Sequence, residues 1–267
     1  MTTWKLTLEY DGTRYSGWQE QKNARTVAGE LRAAAEQFFS RPVDIAGAGR
    51  TDAGVHALAQ IVRLKVDGRQ KHHEVLFRLN DRLPPDINIL RVEETRSDFD
   101  PRRDAKARYY LYQISTRRSA FAKRFVWWVK DSLDVDSIKA ASLTLVGRHD
   151  FSRFSDKRTG DRPSVVLVNS VQLEVAGELL LFRIGASHFL WKMVRRIVGV
   201  LVEVGRGSIS VENFTGLVNS RPGVDAWNEF SVASYTAPPS GLFLERVVYD
   251  EDDDVKPLAP AFPVQKL

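Results

Sequence analysis

Cysteine is missing from all 267 residues, so no disulfide and no thiolate metal site can be built. No run of about 18 apolar residues occurs, and with it goes the usual sign of a membrane-spanning helix. The start, MTTWKLTLEYDG, has no apolar signal core, so a cytoplasmic location is expected. No GK[ST] closes a glycine-rich loop, which excludes a P-loop nucleotide site. The GxG at Gly47–Gly49 is not a dinucleotide fingerprint, because Asp52 stands where the third glycine belongs. HExxH, GxSxG and the paired HxE and CxxC of zinc deaminases are all absent. The five histidines, His56, His72, His73, His149 and His188, form no ligand pattern. Neither a metal nor an organic cofactor is expected, and any chemistry must use Asp, Arg, Tyr and the backbone.

What is present is an ordinary globular composition, 43% hydrophobic and 27% charged, of a length that suits one large domain or two small ones. The chain has 39 basic and 34 acidic residues, net +5. Five of the acids lie together at 250–254, which leaves 39 basic against 29 acidic residues elsewhere, or +10. A basic body favours a polyanionic partner such as nucleic acid.

The periodicities predict two α+β halves. Residues 4–10 alternate and stop at Asp11-Gly12, as a strand does. Thr26 is placed to cap a helix in which Val27, Leu31, Ala34 and Phe38 recur at helical spacing. A short strand at 42–47, an alternating strand at 57–66, a helix at 72–83 stopped by Pro84-Pro85 and a strand at 87–94 follow. This spells βαββαβ, the ferredoxin-like arrangement. A variant follows: a strand at 107–115, a helix at 136–146, a hairpin of 165–175 with 178–186, helices at 189–204 and 210–219, and a strand at 241–249. The expected divisions are 1–104, 105–249 and a loose tail at 250–267. No Gly/Ser-rich linker separates the halves, so one rigid body with a cleft between fused sheets is expected.

Four segments stand apart from this scaffold. GAGRTDAGVHA (47–57) sets Arg50 and Asp52 among glycines and alanines. It reads as a tight turn capped by Asp52, or as a low-bulk platform that offers a carboxylate and a guanidinium to a substrate. YDGTRYSGWQEQ (10–21) groups aromatics around two glycines, and FDPRRDAKARYYLY (99–112) sets basic residues beside three tyrosines. In SHFLWKMVRRIVGVLVEVG (187–205), Met193, Ile197 and Leu201 face a core while Lys192, Arg195 and Arg196 sit together elsewhere. Taken singly, these are packing clusters, a solvated basic face and snorkelling side chains.

Taken together and in order, they resemble the tRNA pseudouridine synthase A (TruA) family. GRTDAGVHA, preceded by YDGxxYxGWQ and followed by FDPR, YLY, FLWKMVRRIVG and GLFLERVVY, carries the likeness from residue 8 to residue 249. The resemblance implies two α+β halves that share one continuous antiparallel sheet with a central basic cleft, and a homodimer. It implies isomerisation of uridine to pseudouridine in the anticodon stem-loop of tRNA, without cofactor or metal. Asp52 takes the place of the nucleophile, Arg50 of the arginine that helps flip the base, and Arg195 of the arginine that pairs with the aspartate. Tyr110, first of the Y-x-Y strand, takes the place of the active-site tyrosine, with Tyr109 the neighbour facing the other side. Leu244 falls among the substrate contacts. Phe99, Arg102, Arg103, Lys106, Arg108, Lys192 and Arg196 fall among the RNA contacts beside Arg50. Trp191 departs from relatives with a basic residue there, which touches one RNA contact and not the chemistry.

The chemistry agrees with this residue set. Pseudouridine formation breaks N1–C1′, turns the uracil and joins C5 to C1′, with no net oxidation. A carboxylate can attack C6 of the base or C1′ of the sugar. Flipping the base costs a few kcal/mol, and an aromatic face returns roughly 1–3 kcal/mol of stacking per base. A catalytically silent RNA-binding module and a carboxylate glycosidase are the competing readings. The glycosidase usually needs a second catalytic acid, and none appears in a comparable small-residue setting.

Overall fold

The alternating apolar positions and the capped helices divide the molecule into two α+β units. The structure, a computed structural model, describes residues 1–68, 70–155, 164–219, 231–249 and 256–264. One unit comprises Met1–Lys106 with Phe243–Asp253, the other Ala107–Leu242 with Asp254–Leu267. The acidic stretch 250–254 lies outside the described residues.

In the first unit, β1 (Thr2–Tyr10) turns Trp4, Leu6, Leu8 and Tyr10 inward at a period of two. α1 (Val27–Phe39) follows; Thr26 keeps an extended backbone and its Oγ1 accepts the Gly29 amide at 3.2 Å, the expected cap. Ser40, left-handed at φ 53°, ends it. β2 (Asp44–Gly47), β3 (His56–Val66), α2 (His72–Asn80) and β4 (Ile87–Glu94) complete the run. β3 pairs antiparallel with β1 and β2, and β1 with β4, giving the order β4-β1-β3-β2. β10 (Leu242–Val248) joins the start of β3 in parallel, with Phe243 opposite His56 and Leu244 opposite Ala57. α2 ends three residues before the expected 83, and Asn80 clamps Ile89 of β4 through both its amide atoms at 2.8 and 2.9 Å.

The second unit is built on β5 (Ala107–Ser115), with β6 (Trp127–Trp128) along its end, and on β7 (Gly147–Asp150), β8 (Val165–Ala176) and β9 (Leu179–Ala186). β9 lies between β5 and β8, and β7 borders β8, all antiparallel. The periodicities missed β6 and β7, which have two and four residues and too little alternation to register. α3 (Val135–Leu143) is capped by Asp134, whose carboxylate accepts two amides at 3.1 Å. α4 (Met193–Gly205) is buried on almost every side, and α5 (Val211–Asn219) follows.

Two expectations need correction here. α4 starts at Met193, not at 189, because Lys192 is left-handed (φ 60°) and cannot lie inside a helix. The segment 256–264 is not loose. Arg183, 2% exposed, donates to the carbonyls of Lys256 (2.8 Å) and Pro257 (3.2 Å), and Gln113 accepts the Ala261 amide at 2.7 Å. Phe262 stacks on Phe125, and Val264 is buried. Buried polar side chains of the sheet fasten this stretch through its backbone, a link that its own composition does not signal.

Candidate active site

The low-bulk segment lies between the end of β2 and the start of β3. Ala48 N still donates to Ile61 O at 2.8 Å, continuing the ladder. The chain then leaves the sheet and turns back at Asp52–Val55, where Val55 N donates to Asp52 O at 3.1 Å. Gly54 supplies the positive φ (77°) that this turn requires. The segment is a tight turn that carries a partly buried Asp52 and an exposed Arg50.

The segment 10–21 is the wall on which this turn rests. Trp18 N donates to Thr51 O (3.0 Å), Gly54 N to Tyr15 O (3.4 Å), and Tyr10 OH bonds Thr51 Oγ1 (2.8 Å). Trp18 stacks on Tyr10 and packs so closely on Gly47 that a Cβ there would meet its ring at 2.6 Å. Gly12 is required by contact: a Cβ would fall 2.0 Å from Val55 O. His56, 1% exposed, receives the Gly12 amide at Nδ1 (3.0 Å) and lies 3.2 Å from Asp11 Oδ1. Burial alone would raise the Asp11 pKa. The adjacent His56 ring and the bonds donated by Thr13 overcome that and hold the carboxyl well below the usual carboxylate range. The grouped aromatics of 10–21 are packing, as the modest reading has it, but what they pack is the Asp52 turn.

Gln60 was not among the candidates. It is fully buried, and its amide accepts from Gly49 N (3.3 Å) and donates to Gly49 O (2.8 Å). The sequence held the signal: Val62, Leu64 and Val66 form the inward stripe of β3, and one step back along it the stripe reaches a glutamine.

The FDPRRD stretch is also a folded turn. Asp100 Oδ1 accepts the Arg102 and Arg103 amides at 2.9 Å each, and these bonds lower its pKa, Arg103 first. Asp104 is held at about 2, chiefly by the Asp100 amide and then by Arg96 and Arg103. Arg102, Arg103 and Lys106 are exposed. Phe99 is not available as a surface contact: it is 6% exposed, against Tyr249 at 5.4 Å. Leu244, opposite Ala57 beside the exit of the Asp52 turn, is wholly covered.

In the second unit, Tyr110 and Tyr112 share one face of β5. Tyr110 meets Phe189 edge-on at 4.9 Å. Tyr112 is raised well above the ordinary tyrosine pKa by burial, although the Arg195 charge pulls the other way, and its hydroxyl donates to Pro238 O at 2.8 Å. Tyr109 faces the other side, over Gly185, where a Cβ would meet its ring at 2.3 Å. Arg195 is partly buried and its Nε donates to Ala237 O at 2.7 Å. The expected common basic face of α4 does not form. Arg196 is 3% exposed, because the helix is enclosed on that side too, while Lys192 stays partly exposed above Trp191 at 4.3 Å. Arg108, expected on a phosphate-facing surface, is 8% exposed and donates to Ser187 O at 3.0 Å.

Among the described residues no group of three or more His, Asp or Glu side chains is arranged to hold a metal ion, and no helix is long and apolar enough to cross a membrane. The family model described as tRNA pseudouridine synthase matches residues 7–102 and 141–250. The chain is 34% identical over 252 residues to tRNA pseudouridine synthase A 2 of Bacillus cereus, covering 93% of this chain and all of that one. It is 37% identical to tRNA pseudouridine synthase A of Methylococcus capsulatus, covering 92% of this chain and 89% of that one. The enzyme of the same name from Myxococcus xanthus is 38% identical, with 92% and 91% covered.

Proposed function

Because the chain belongs to the tRNA pseudouridine synthase family, and so to the isomerases, we propose that it converts uridine to pseudouridine in the anticodon stem-loop of tRNA with Asp52 as nucleophile. The observation that carries this reading is the Asp52 turn: one partly buried carboxylate and one exposed guanidinium, on a backbone held from two sides. A fixed backbone keeps a nucleophile in register with its target, which is a large share of what an enzyme supplies to such a step.

The roles follow from the chemistry. Asp52 attacks C6 of the uracil or C1′ of its ribose, and N1–C1′ breaks. The freed base turns and C5 joins C1′; the bond to Asp52 breaks and returns the carboxylate, a base removes the C5 proton, and N1 gains a proton, so the product is an isomer of the substrate. Arg50, on the turn and open to solvent, enters the stack that the flipped nucleotide leaves. Arg195, whose Nε donates to Ala237 O, takes the family's role of partner to the Asp52 carboxylate. Tyr110 takes the role of stacking on the flipped base, and its hydroxyl that of accepting the C5 proton.

The phosphate contacts narrow to the exposed cations Arg102, Arg103 and Lys106, with Lys192 beside them in role. Phe99, Leu244, Arg108 and Arg196 serve as packing and anchoring behind these groups. The order β4-β1-β3-β2 of the first unit supports its reading as a ferredoxin-like half. A sheet shared by both halves, a basic cleft, a homodimer and a cytoplasmic location complete the proposal.

The test is tritium release from tRNA labelled at uracil C5. Wild type is expected to release tritium, and Asp52→Asn to lose about 10³-fold or more while keeping tRNA affinity. Release by both proteins would move the nucleophile elsewhere. Binding without release by the wild type would favour the silent RNA-binding module.

A further inference from the structure

We propose that Gln60 is a positioning residue for the reaction: its buried amide grips the Gly49 peptide from both ends and thereby fixes the turn that aims Arg50 and Asp52. The inference rests on the reading of Asp52 and Arg50 given above.

The register explains why a side chain is needed here. β2 pairs with β3 as Ala46 opposite Arg63 and Gly47 opposite Val62, and Ala48 N still bonds Ile61 O. One step further, Gly49 stands opposite Gln60. At that point the chain leaves the ladder, and the main chain of Gln60 is engaged on the other side, paired with Leu8 of β1. The Gln60 side chain replaces the missing rung. Its Oε1 takes the Gly49 amide at 3.3 Å, and its Nε2 gives a proton to the Gly49 carbonyl at 2.8 Å. One primary amide thus reproduces the donor and acceptor pair of a strand.

The position of this grip bears on function more than on the core. Gly49 immediately precedes Arg50. Thr51, immediately after it, is held by Tyr10 OH at 2.8 Å and by the Trp18 amide at 3.0 Å. Arg50 therefore projects from a backbone clamped on both flanks, and Asp52 follows one residue later. Gln60 is fully buried and occupies the inward stripe of β3, where Val62 and Leu64 are apolar. A polar group in such a place is costly unless both its halves are bonded, and here both are. Leucine or methionine would fill the space and leave the Gly49 peptide without its partners.

The chemistry of glutamine supplies a test that packing alone cannot mimic. A protonated glutamic acid also donates once and accepts once. An ionised one can only accept, and it would bring a negative charge against the Gly49 carbonyl and towards Asp52. Gln60→Met, Gln60→Glu and Asp52→Asn are compared with wild type by tritium release at saturating tRNA, by tRNA affinity and by thermal melting, from about pH 5.5 to about pH 8.5. Gln60→Met is expected to lose about 10- to 100-fold in kcat with tRNA affinity changed less than about threefold, since a small misplacement of reacting groups is expensive in rate. Gln60→Glu is expected to be most active at the acid end and to lose activity as pH rises and the carboxyl ionises. Wild type carries an amide here that does not titrate, and its profile lacks this fall.

Wild-type kcat in folded Gln60→Met, or a Gln60→Glu profile parallel to wild type, overturns the proposal. If Gln60→Met does not fold, the acid-side recovery of Gln60→Glu decides. An active Asp52→Asn would instead sink the site reading, and the positioning role with it. An inactive Asp52→Asn beside a fully active Gln60→Met would sink the positioning role alone.

Discussion

The Asp52 turn and the two residues Tyr110 and Arg195 are held in place by opposite means. The turn is irregular backbone, and what fixes it is a set of directional bonds: Tyr10 to Thr51, Trp18 to Thr51, Gln60 to Gly49 and Gly12 to His56. Tyr110 and Arg195 stand on a strand and a helix, and dense apolar packing fixes those. α4 buries Met193, Val194, Ile197, Val198, Val200, Leu201 and Val202. Local geometry in the first case depends on a few polar contacts, whose loss is expected to cost less stability than a hole in the helix packing. In the second case the same contacts that aim the side chain also hold the fold together. Damage to the first should appear in rate, and damage to the second in stability.

Two glycines put this contrast to the strongest test. In Gly199→Ala the new Cβ would lie 1.4 Å from Tyr235 O, at the centre of α4. We expect a stability loss of about 3 kcal/mol or more, read by urea unfolding, because a packed helix has no room to yield. In Gly12→Ala the new Cβ would lie 2.0 Å from Val55 O and push the end of the Asp52 turn. The expected result is a kcat lower by about 100-fold, with a smaller stability loss than that of Gly199→Ala. Equal loss of stability in both would erase the distinction between the two regions. Arg102→Ala should show the smallest effect. It lies on an exposed turn ordered by Asp100, and its removal should lower the slope of log affinity against log salt by about one, with kcat at saturating tRNA unchanged. An unchanged slope would remove Arg102 from the RNA interface.

Much of the scaffold could be read from residue order. The strand at 87–94 has the expected bounds, the Thr26 cap forms, and the hairpin of β8 and β9 turns at Gly177. These features depend on neighbours in sequence: an alternation, a cap, a turn residue. The start of α4 was missed because a single left-handed residue, Lys192, interrupts an apolar pattern that continues on both sides of it. The fastening of 256–264 was missed because its partners, Arg183 and Gln113, are more than seventy residues away.

The candidate site divides along the same line. Residue order singles out Asp52 and Arg50 through the motif that carries the family resemblance; their local chemistry alone leaves a capped turn equally open. Order alone does not reveal that Arg108, Arg196, Phe99, Leu244 and Tyr110 are all largely covered. Charge and aromaticity suggest an interface, but accessibility is a property of what the rest of the chain places on top of a residue.

By itself the sequence determined most of the elements, the low-bulk turn with its carboxylate and guanidinium, and the family, because each is encoded in residues close together or in a fixed order of motifs. Only the tertiary structure decided what stands behind that turn. Tyr10, Trp18, His56 and Gln60 meet it from different elements, and their bonds depend on distances of about 3 Å that the strand register sets. No local pattern specifies contacts of that precision between residues 10, 51 and 60. They exist because β1 and β3 pair in a defined register, with Leu8 opposite Gln60 and, past a one-residue shift, Tyr10 opposite Ala57.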